Sequence, residues 1–361
     1  MSDYRFSFGP WNISEGADPF GPSVRQSTEF AKTLKLYRQL GVEGIQLHDD
    51  DAVPDIDNKS ARQMEDEAKA LRKVLDDQGL VVEICAPRLW EDPRGVDGGF
   101  TANDPETRKW AIERSKRAID LAHHLGNNLL VLWLAREGTY IREAKNAIDS
   151  HRHLLDAVNQ LLEYDDKIQI VFEPKPNEPM DHAYIPTVGH ALALGQASRD
   201  PARMGALIET AHSLLAGLDP SDDMAFALSF GKLWSVHLND QNSLKYDQDK
   251  AFGSSNLRAA WNQVRVLEAA DYASTNRFVG LDVKAMRTTK QEAGHKHLAN
   301  SKAIFEMLVE KVRTWDFDLE RECIANRDYE ELEMAIMKHL MGVSPAQQQG
   351  IKARQPIAGT A

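Results

Sequence analysis

Short aliphatic runs, many of them β-branched, alternate along the chain with longer stretches in which apolar positions recur at helical spacing. The runs at about 4–11, 43–48, 80–86, 128–134, 168–173, 203–208, 233–238 and 277–282 predict eight strands. Helical patterns fall at about 26–40, 59–79, 104–126, 140–164, 187–199, 221–231, 255–271 and 290–313. Ser27 or Thr28 stands as a cap before the first, and Asp104 with Pro105 opens the third. Eight strands, each followed by a helix, specify an α/β fold of (β/α)8 TIM-barrel type. A doubly wound sheet rarely uses eight such units without a second domain. No Gly-x-Gly-x-x-Gly follows the first strand, which removes the usual dinucleotide-binding reading.

The barrel domain is predicted to span 1–315. Beyond it the chain is strongly charged and then helical, which predicts a C-terminal helical arm at 316–344 that contacts another subunit. Residues 345–361 are rich in Gln, Gly and Pro and predict a disordered tail. With 43 basic and 55 acidic residues the net charge is −12, the wrong sign for a nucleic-acid partner. No apolar run has the roughly 20 residues of a membrane span, and the first residues lack a signal-peptide layout. Cys85 and Cys323 are isolated, which argues against a disulfide scaffold or a thiolate zinc site. The expectation is a soluble, cytoplasmic protein.

Polar, ligand-competent residues collect at the C-terminal ends of the predicted strands. They include His48 on the second, Glu173 on the fifth, Glu209 with His212 on the sixth, His237 on the seventh and Asp282 on the eighth, with Asp247 and Asp249 just beyond the seventh. In a barrel these ends face one mouth, so the residues converge. Together Glu173, Glu209, Asp247, Asp249 and Asp282 carry −5, a density that requires cations among them. Oxygen ligands with one or two imidazoles suit Mg2+, Mn2+ or Co2+, and two divalent ions nearly balance the charge. Trp11, Trp90 and Trp133 fall at the ends of the first, third and fourth strands and form an apolar wall for a sugar ring. Lys175, two residues after Glu173, shares its face and can hold a substrate oxygen as charge develops. Asp49 and Asp50 read as caps or solvated loop residues. Histidines such as His123 and His297 read as surface or packing residues.

These residues match a known family. Phe6–Trp11, Asp18–Gly21, Leu47–Asp51, Asp97–Asp104, Val131–Trp133 with Arg136–Gly138, Phe172–Pro179, Glu209–His212, Tyr246–Asp249 and Asp282–Lys284 resemble xylose isomerases in order and spacing. The resemblance implies a metal-dependent aldose–ketose isomerase that interconverts D-xylose and D-xylulose by a two-metal 1,2-hydride shift. It implies that Glu173, Glu209, His237 and Asp282 hold a structural metal. Glu209 then bridges to a catalytic metal held also by His212, Asp247 and Asp249. It further implies that His48, oriented by Asp51, assists ring opening, that Lys175 contacts the carbonyl oxygen, and that Trp11 and Trp133 wall the cavity. Phe20 is implied to reach into a neighbouring subunit of a homo-oligomer, a tetramer or dimer, whose partner is a small monosaccharide.

The departures bear on the substrate. Val236–Asp240 carries His237 where xylose isomerases have an aspartate, and is similar to rhamnose isomerases and ketose 3-epimerases. An imidazole there favours Mn2+ or Co2+, with Mg2+ still admissible. Leu134-Ala135 replaces a Gly-Gly pair, and Ala86-Pro87-Arg88 stands where the family has threonines and an asparagine. Isomerisation of another aldose, or ketose 3-epimerisation, is the nearest alternative. A sugar-binding protein without catalysis is the alternative of another class, disfavoured by the presence of His48, Lys175 and His212.

Overall fold

The structure, a computed structural model, describes residues 4–343 and Gln347. Eight strands form a closed parallel barrel: β1 Arg5–Phe8, β2 Gly44–His48, β3 Val81–Ala86, β4 Leu129–Trp133, β5 Gln169–Glu173, β6 Met204–Glu209, β7 Leu233–Leu238 and β8 Phe278–Leu281. Every strand pairs with its neighbours in sequence, and β1 closes on β8 from Arg5↔Phe278 to Phe8↔Leu281. Eight helices cover the outside: α1 Phe30–Gln39, α2 Ala61–Gln78, α3 Pro105–His124, α4 Ala147–Tyr164, α5 Val188–Ala197, α6 Pro220–Ser229, α7 Leu257–Ala269 and α8 Lys296–Arg313. The apolar runs read as strands because both faces of such a sheet are buried. The first strand is shorter than expected: it ends at Phe8, and Trp11 belongs to a 3-10 turn, Pro10–Asn12.

Helix starts follow their chemistry. Asp104 accepts from the amides of Glu106 and Thr107, with Pro105 at the first helical position. Ser60 and Gln63 form a reciprocal capping box at the start of α2. The first helix departs from expectation, because Glu29 and not Ser27 or Thr28 is its cap, without a side-chain bond.

Between barrel and helices lie two large apolar clusters. One is centred on β2–β5 with α2–α4, and the other on β1 and β6–β8 with α7 and α8. Inside the barrel, Ile84, Val131, Val171 and Leu207 fill one side. A register shift on the β2–β3 pair skips Glu83, which is buried and accepts hydrogen bonds from Ser7, Ser235 and Gln46. Burial pushes the Glu83 carboxyl up. Gly280 keeps this side open: a Cβ there would lie 2.4 Å from Gln46 Nε2 and 2.7 Å from His237 Cδ2.

Two further helices, α9 Phe317–Asn326 and α10 Tyr329–Leu340, lie against α7 and α8. Trp315 and Ile336 enter the second core cluster, and His339 packs on Trp315 with ring centroids 5.1 Å apart. The outer face exposes Tyr329, Met334 and Met341. Apart from Gln347, the segment 345–361 lies outside the described residues. Among the described residues no helix is long and apolar enough to cross a membrane.

Candidate metal and substrate site

Glu173 and Glu209 are the last residues of β5 and β6, His237 is on β7, and Asp282 directly follows β8. His212 comes one turn into the short helix Thr210–Leu215, which continues from β6. Three overlapping groups bring ligand atoms within 4.8 Å of one another: Glu173, His237 and Asp282; Glu173, Glu209 and His212; Glu209, Asp249 and Asp282. Asp247 joins them, its Oδ2 lying 3.0 Å from His212 Nε2.

The electrostatics fit a cation-binding centre. Burial, reinforced by neighbouring carboxylates, pushes Glu173, Glu209 and Asp249 well above the ordinary carboxylate range. Asp247 behaves oppositely: burial acts against its charge, but Lys175 and His212 outweigh burial and hold it low. Lys175 donates to Asp247 (2.9 Å) and lies 3.3 Å from Glu178, while Lys284 pairs with Asp249. Burial lowers His237 to about 4. Both of its ring nitrogens, and Nδ1 of His212, are buried without a hydrogen-bond partner. Buried polar atoms of this kind call for a ligand. Imidazole nitrogens among carboxylate oxygens are a donor set for a divalent metal.

The opposite half of the mouth is aromatic. Trp11, His48, Trp90 and Trp133 form a file of rings with successive centroids 4.5, 5.2 and 4.4 Å apart. Lys175 Nζ lies 5.2 Å above the Trp133 ring. These rings and the acidic group line one cavity of about 530 Å3, whose wall on β3 and β4 is Ile84, Ala86 and Val131. Trp11 also meets the acidic side, its Nε1 donating to Asp282 (2.9 Å). The absence of a side chain at Gly9 permits this, because a Cβ would fall 2.3 Å from the indole.

Buried polar residues hold both halves in place. Asn12 donates to Leu281 O and accepts from Val283 N, joining the ends of β1 and β8, and the His297 ring bonds Asn12 O (2.7 Å). His297 is thus buried and fastens the Trp11 turn. Asn239 donates to Glu209 and Asp249, and Asp240 accepts from the amides of Ser255 and Asn256, anchoring the loop that carries Asp247 and Asp249. Glu137 accepts from the amides of Gly99, Phe100 and Thr101, which explains the Asp97–Asp104 and Arg136–Gly138 motifs as one loop and its anchor. Asp49 is no solvated cap: it is fully buried and bound bidentately by Arg114. Asp50 is ion-paired to Arg88 and Arg114.

Twelve of the residues singled out in the sequence line the cavity. Asp51 lies behind His48, its Oδ2 2.8 Å from Nδ1. Phe20 lies outside the lining, on the Asp18–Gly21 turn, 86% exposed and 6.2 Å from Tyr246. Asn239, Glu178, Lys284 and Arg88 fall in stretches compared with the family in the sequence, which assigned none of them a role. Lys284 had a usable signal, standing two residues after Asp282 on an extended segment.

Residues 34–329 match the family described as xylose isomerase-like TIM barrel. The chain is 35% identical over 295 residues to the xylose isomerase of Thermus thermophilus, covering 80% of this chain and 75% of that protein. Among solved structures, a xylose isomerase domain protein from Alicyclobacillus acidocaldarius superposes with a TM-score of 0.58 at 13% identity, covering 85% of this chain and 98% of that one. An L-ribulose 3-epimerase gives 0.61 at 16%, covering 86% and 96%. At such identities these two likenesses concern the fold.

Proposed function

The chain belongs to the xylose isomerase-like TIM-barrel family, and we propose that it is a metal-dependent aldose–ketose isomerase interconverting D-xylose and D-xylulose. Membership supports an isomerase-type sugar enzyme. The observation that carries the metal-dependent part of this reading is His237, buried with both ring nitrogens unpartnered among carboxylates whose charge burial disfavours; the choice of xylose rests on the 35% identity to a xylose isomerase. Glu173, Glu209, His237 and Asp282 would hold one divalent metal, and Glu209, His212, Asp247 and Asp249 a second. When bound, such ions polarise the oxygens on adjacent sugar carbons. The mixed oxygen and imidazole set favours Mn2+ or Co2+ over Mg2+.

The chain's own groups do the rest. His48, flanked by Trp11 and Trp90, meets the closed sugar at its ring or anomeric oxygen and assists opening. Asp51 helps to orient His48 by accepting from its backbone amide (3.0 Å). Lys175, kept charged by Asp247 and Glu178, holds the carbonyl oxygen as negative charge develops. The indoles of Trp90 and Trp133 exclude water from the reacting carbons. The hydrogen on C2 then moves to C1 with its electron pair while a proton passes from O2 to O1, so nothing is gained or lost. Phe20, projecting from its turn, is proposed to complete the site of a neighbouring copy, with the exposed face of α10 as a further subunit contact.

The test is turnover of metal-stripped protein, reloaded with Mn2+, on 2-deuterated xylose. Xylulose with the label on C1 supports the hydride shift. Complete washout of label into solvent overturns it in favour of an enediol route, as in epimerisation. Inert xylose beside conversion of another aldose moves the substrate and keeps the centre.

A further inference from the structure

Arg88 lines the cavity from the loop after β3, yet its guanidinium is turned toward the end of β2. Its Nε lies 3.0 Å from Asp50 Oδ1, Nη1 donates to Glu91 (3.3 Å), and Nη2 donates to Asp51 Oδ1 (2.7 Å). The Arg88 amide is held by Asp49 Oδ1 (3.0 Å), which the buried Arg114 fixes. The same Nη2 lies 2.6 Å from His48 Nδ1. Two groups therefore compete for one imidazole nitrogen, since Asp51 Oδ2 lies 2.8 Å from it.

We propose that Arg88 is a positioning residue that fixes the neutral His48 proton on Nε2, so that the imidazole faces the cavity as a hydrogen-bond donor. This rests on the isomerase reading for its use, though not for its geometry. A guanidinium has donors and no acceptor, and keeps its proton at any ordinary pH. Its contact with Nδ1 is favourable only when Nδ1 is bare. Asp51 can give up the imidazole proton, because its carboxylate already accepts from Arg88 and from the His48 amide (3.0 Å). Its own amide also turns toward the His48 ring, in the reciprocal cap that starts the short helix Asp49–Ala52.

The imidazole is the one member of the trio free to switch tautomer. The charged groups on its own side are Asp50, Asp51, Arg88 and Glu91, with Asp49 and Arg114 behind them. Across the cavity stand His237 and Asp282. A bare Nδ1 leaves Nε2–H for the sugar, bracketed by the rings of Trp11 and Trp90. His48 would then give a hydrogen bond, or its proton, to the oxygen leaving the anomeric carbon. With Arg88 absent, the imidazole proton would sit on Nδ1 and be donated to Asp51, and Nε2 would face the sugar as an acceptor.

The test is long-range 1H–15N correlation of the imidazole nitrogens in labelled full-length protein loaded with diamagnetic Mg2+, His48 being identified by loss of its signals in His48→Asn. The wild type is expected to show the Nε2–H pattern. Arg88→Gln is expected to convert it to the Nδ1–H or doubly protonated pattern, and Arg88→Lys, which keeps a cationic donor, to retain Nε2–H. Turnover of ring-closed aldose should fall on the order of 10²-fold in Arg88→Gln, with metal content unchanged. An Nδ1–H or doubly protonated wild type, or an Arg88→Gln spectrum like the wild type, overturns the proposal. Failure to convert any aldose would instead sink the isomerase reading, and the tautomer result would stand apart from it.

Discussion

Across the mouth of the barrel, Glu173, Glu209, His237 and Asp282 sit on β5–β8 or directly after them, whereas Trp11 and Trp90 sit in turns beyond β1 and β3. The acidic half takes much of its geometry from the hydrogen-bond register of the sheet, with Asn239 and Asp240 fixing Glu209 and the loop that carries Asp247 and Asp249. The aromatic half depends on side chains packing on one another, with anchors such as Asn12 and His297 holding the turns. Charge placed without a counter-ion is costly to bury, so the first half needs a ligand for balance. The second half is largely apolar, carries no such charge density, and can set selectivity. A barrel can thus separate a demanding electrostatic centre from an adaptable apolar wall.

The sharpest way to break this division is Glu209→Gln, which removes one of the three carboxylates that each belong to two of the three ligand groups. Turnover should fall at least about 10³-fold, as loss of several kcal/mol of charge stabilisation requires. Bound metal measured by elemental analysis should fall with it. If turnover survives, the acidic half is not the reacting half. Lys175→Met should lower kcat about 10²-fold, the scale of one donor to a developing charge. Retention of at least one metal would separate its role from that of the ligands.

On the aromatic side, Trp90→Ala should cost about tenfold in kcat/KM, mostly through KM, with metal content unchanged. Loss of metal in that variant would mean that the two halves are coupled. The smallest effect is one of stability. With Glu173, Glu209 and Asp249 raised in the folded state, the metal-free fold binds more protons than the unfolded chain above the ordinary carboxylate range. Its stability therefore falls as pH rises. His237 and His297, lowered to about 4, act oppositely, but only below their ordinary value near 6.5. Melting temperature of stripped protein should thus decline as pH rises beyond the range in which the histidines oppose it, by about 2–4 °C per kcal/mol lost, and reloading should flatten the decline. A flat profile without metal would contradict the burial argument.

Much of this organisation is legible in the sequence for a physical reason. A strand buried on both faces reads as an apolar run, so a charged residue at its end, such as Glu173 or Glu209, stands out at once. The family motifs added the order. What escaped were residues whose meaning depends on a partner far along the chain. Asp49 reads as a cap until Arg114 of α3 is seen to bind it. Arg88 reads only as a departure from the family pattern until the strand ends bring it to His48. Asn239, neither charged nor nucleophilic, gives no sign by itself that it holds two carboxylates. Glu83 is a different failure: the register shift that turns it inward leaves no mark in periodicity.

The missing side chains at Gly9 and Gly280 have a consequence for how far sequences can drift around this centre. One gives its space to the Trp11 indole, the other to Gln46 and His237. A relative with even alanine at 9 must seat its tryptophan elsewhere, and one with alanine at 280 must rearrange the imidazole beneath its carboxylates. These two positions therefore sort homologous chains by cavity shape before any catalytic residue is compared.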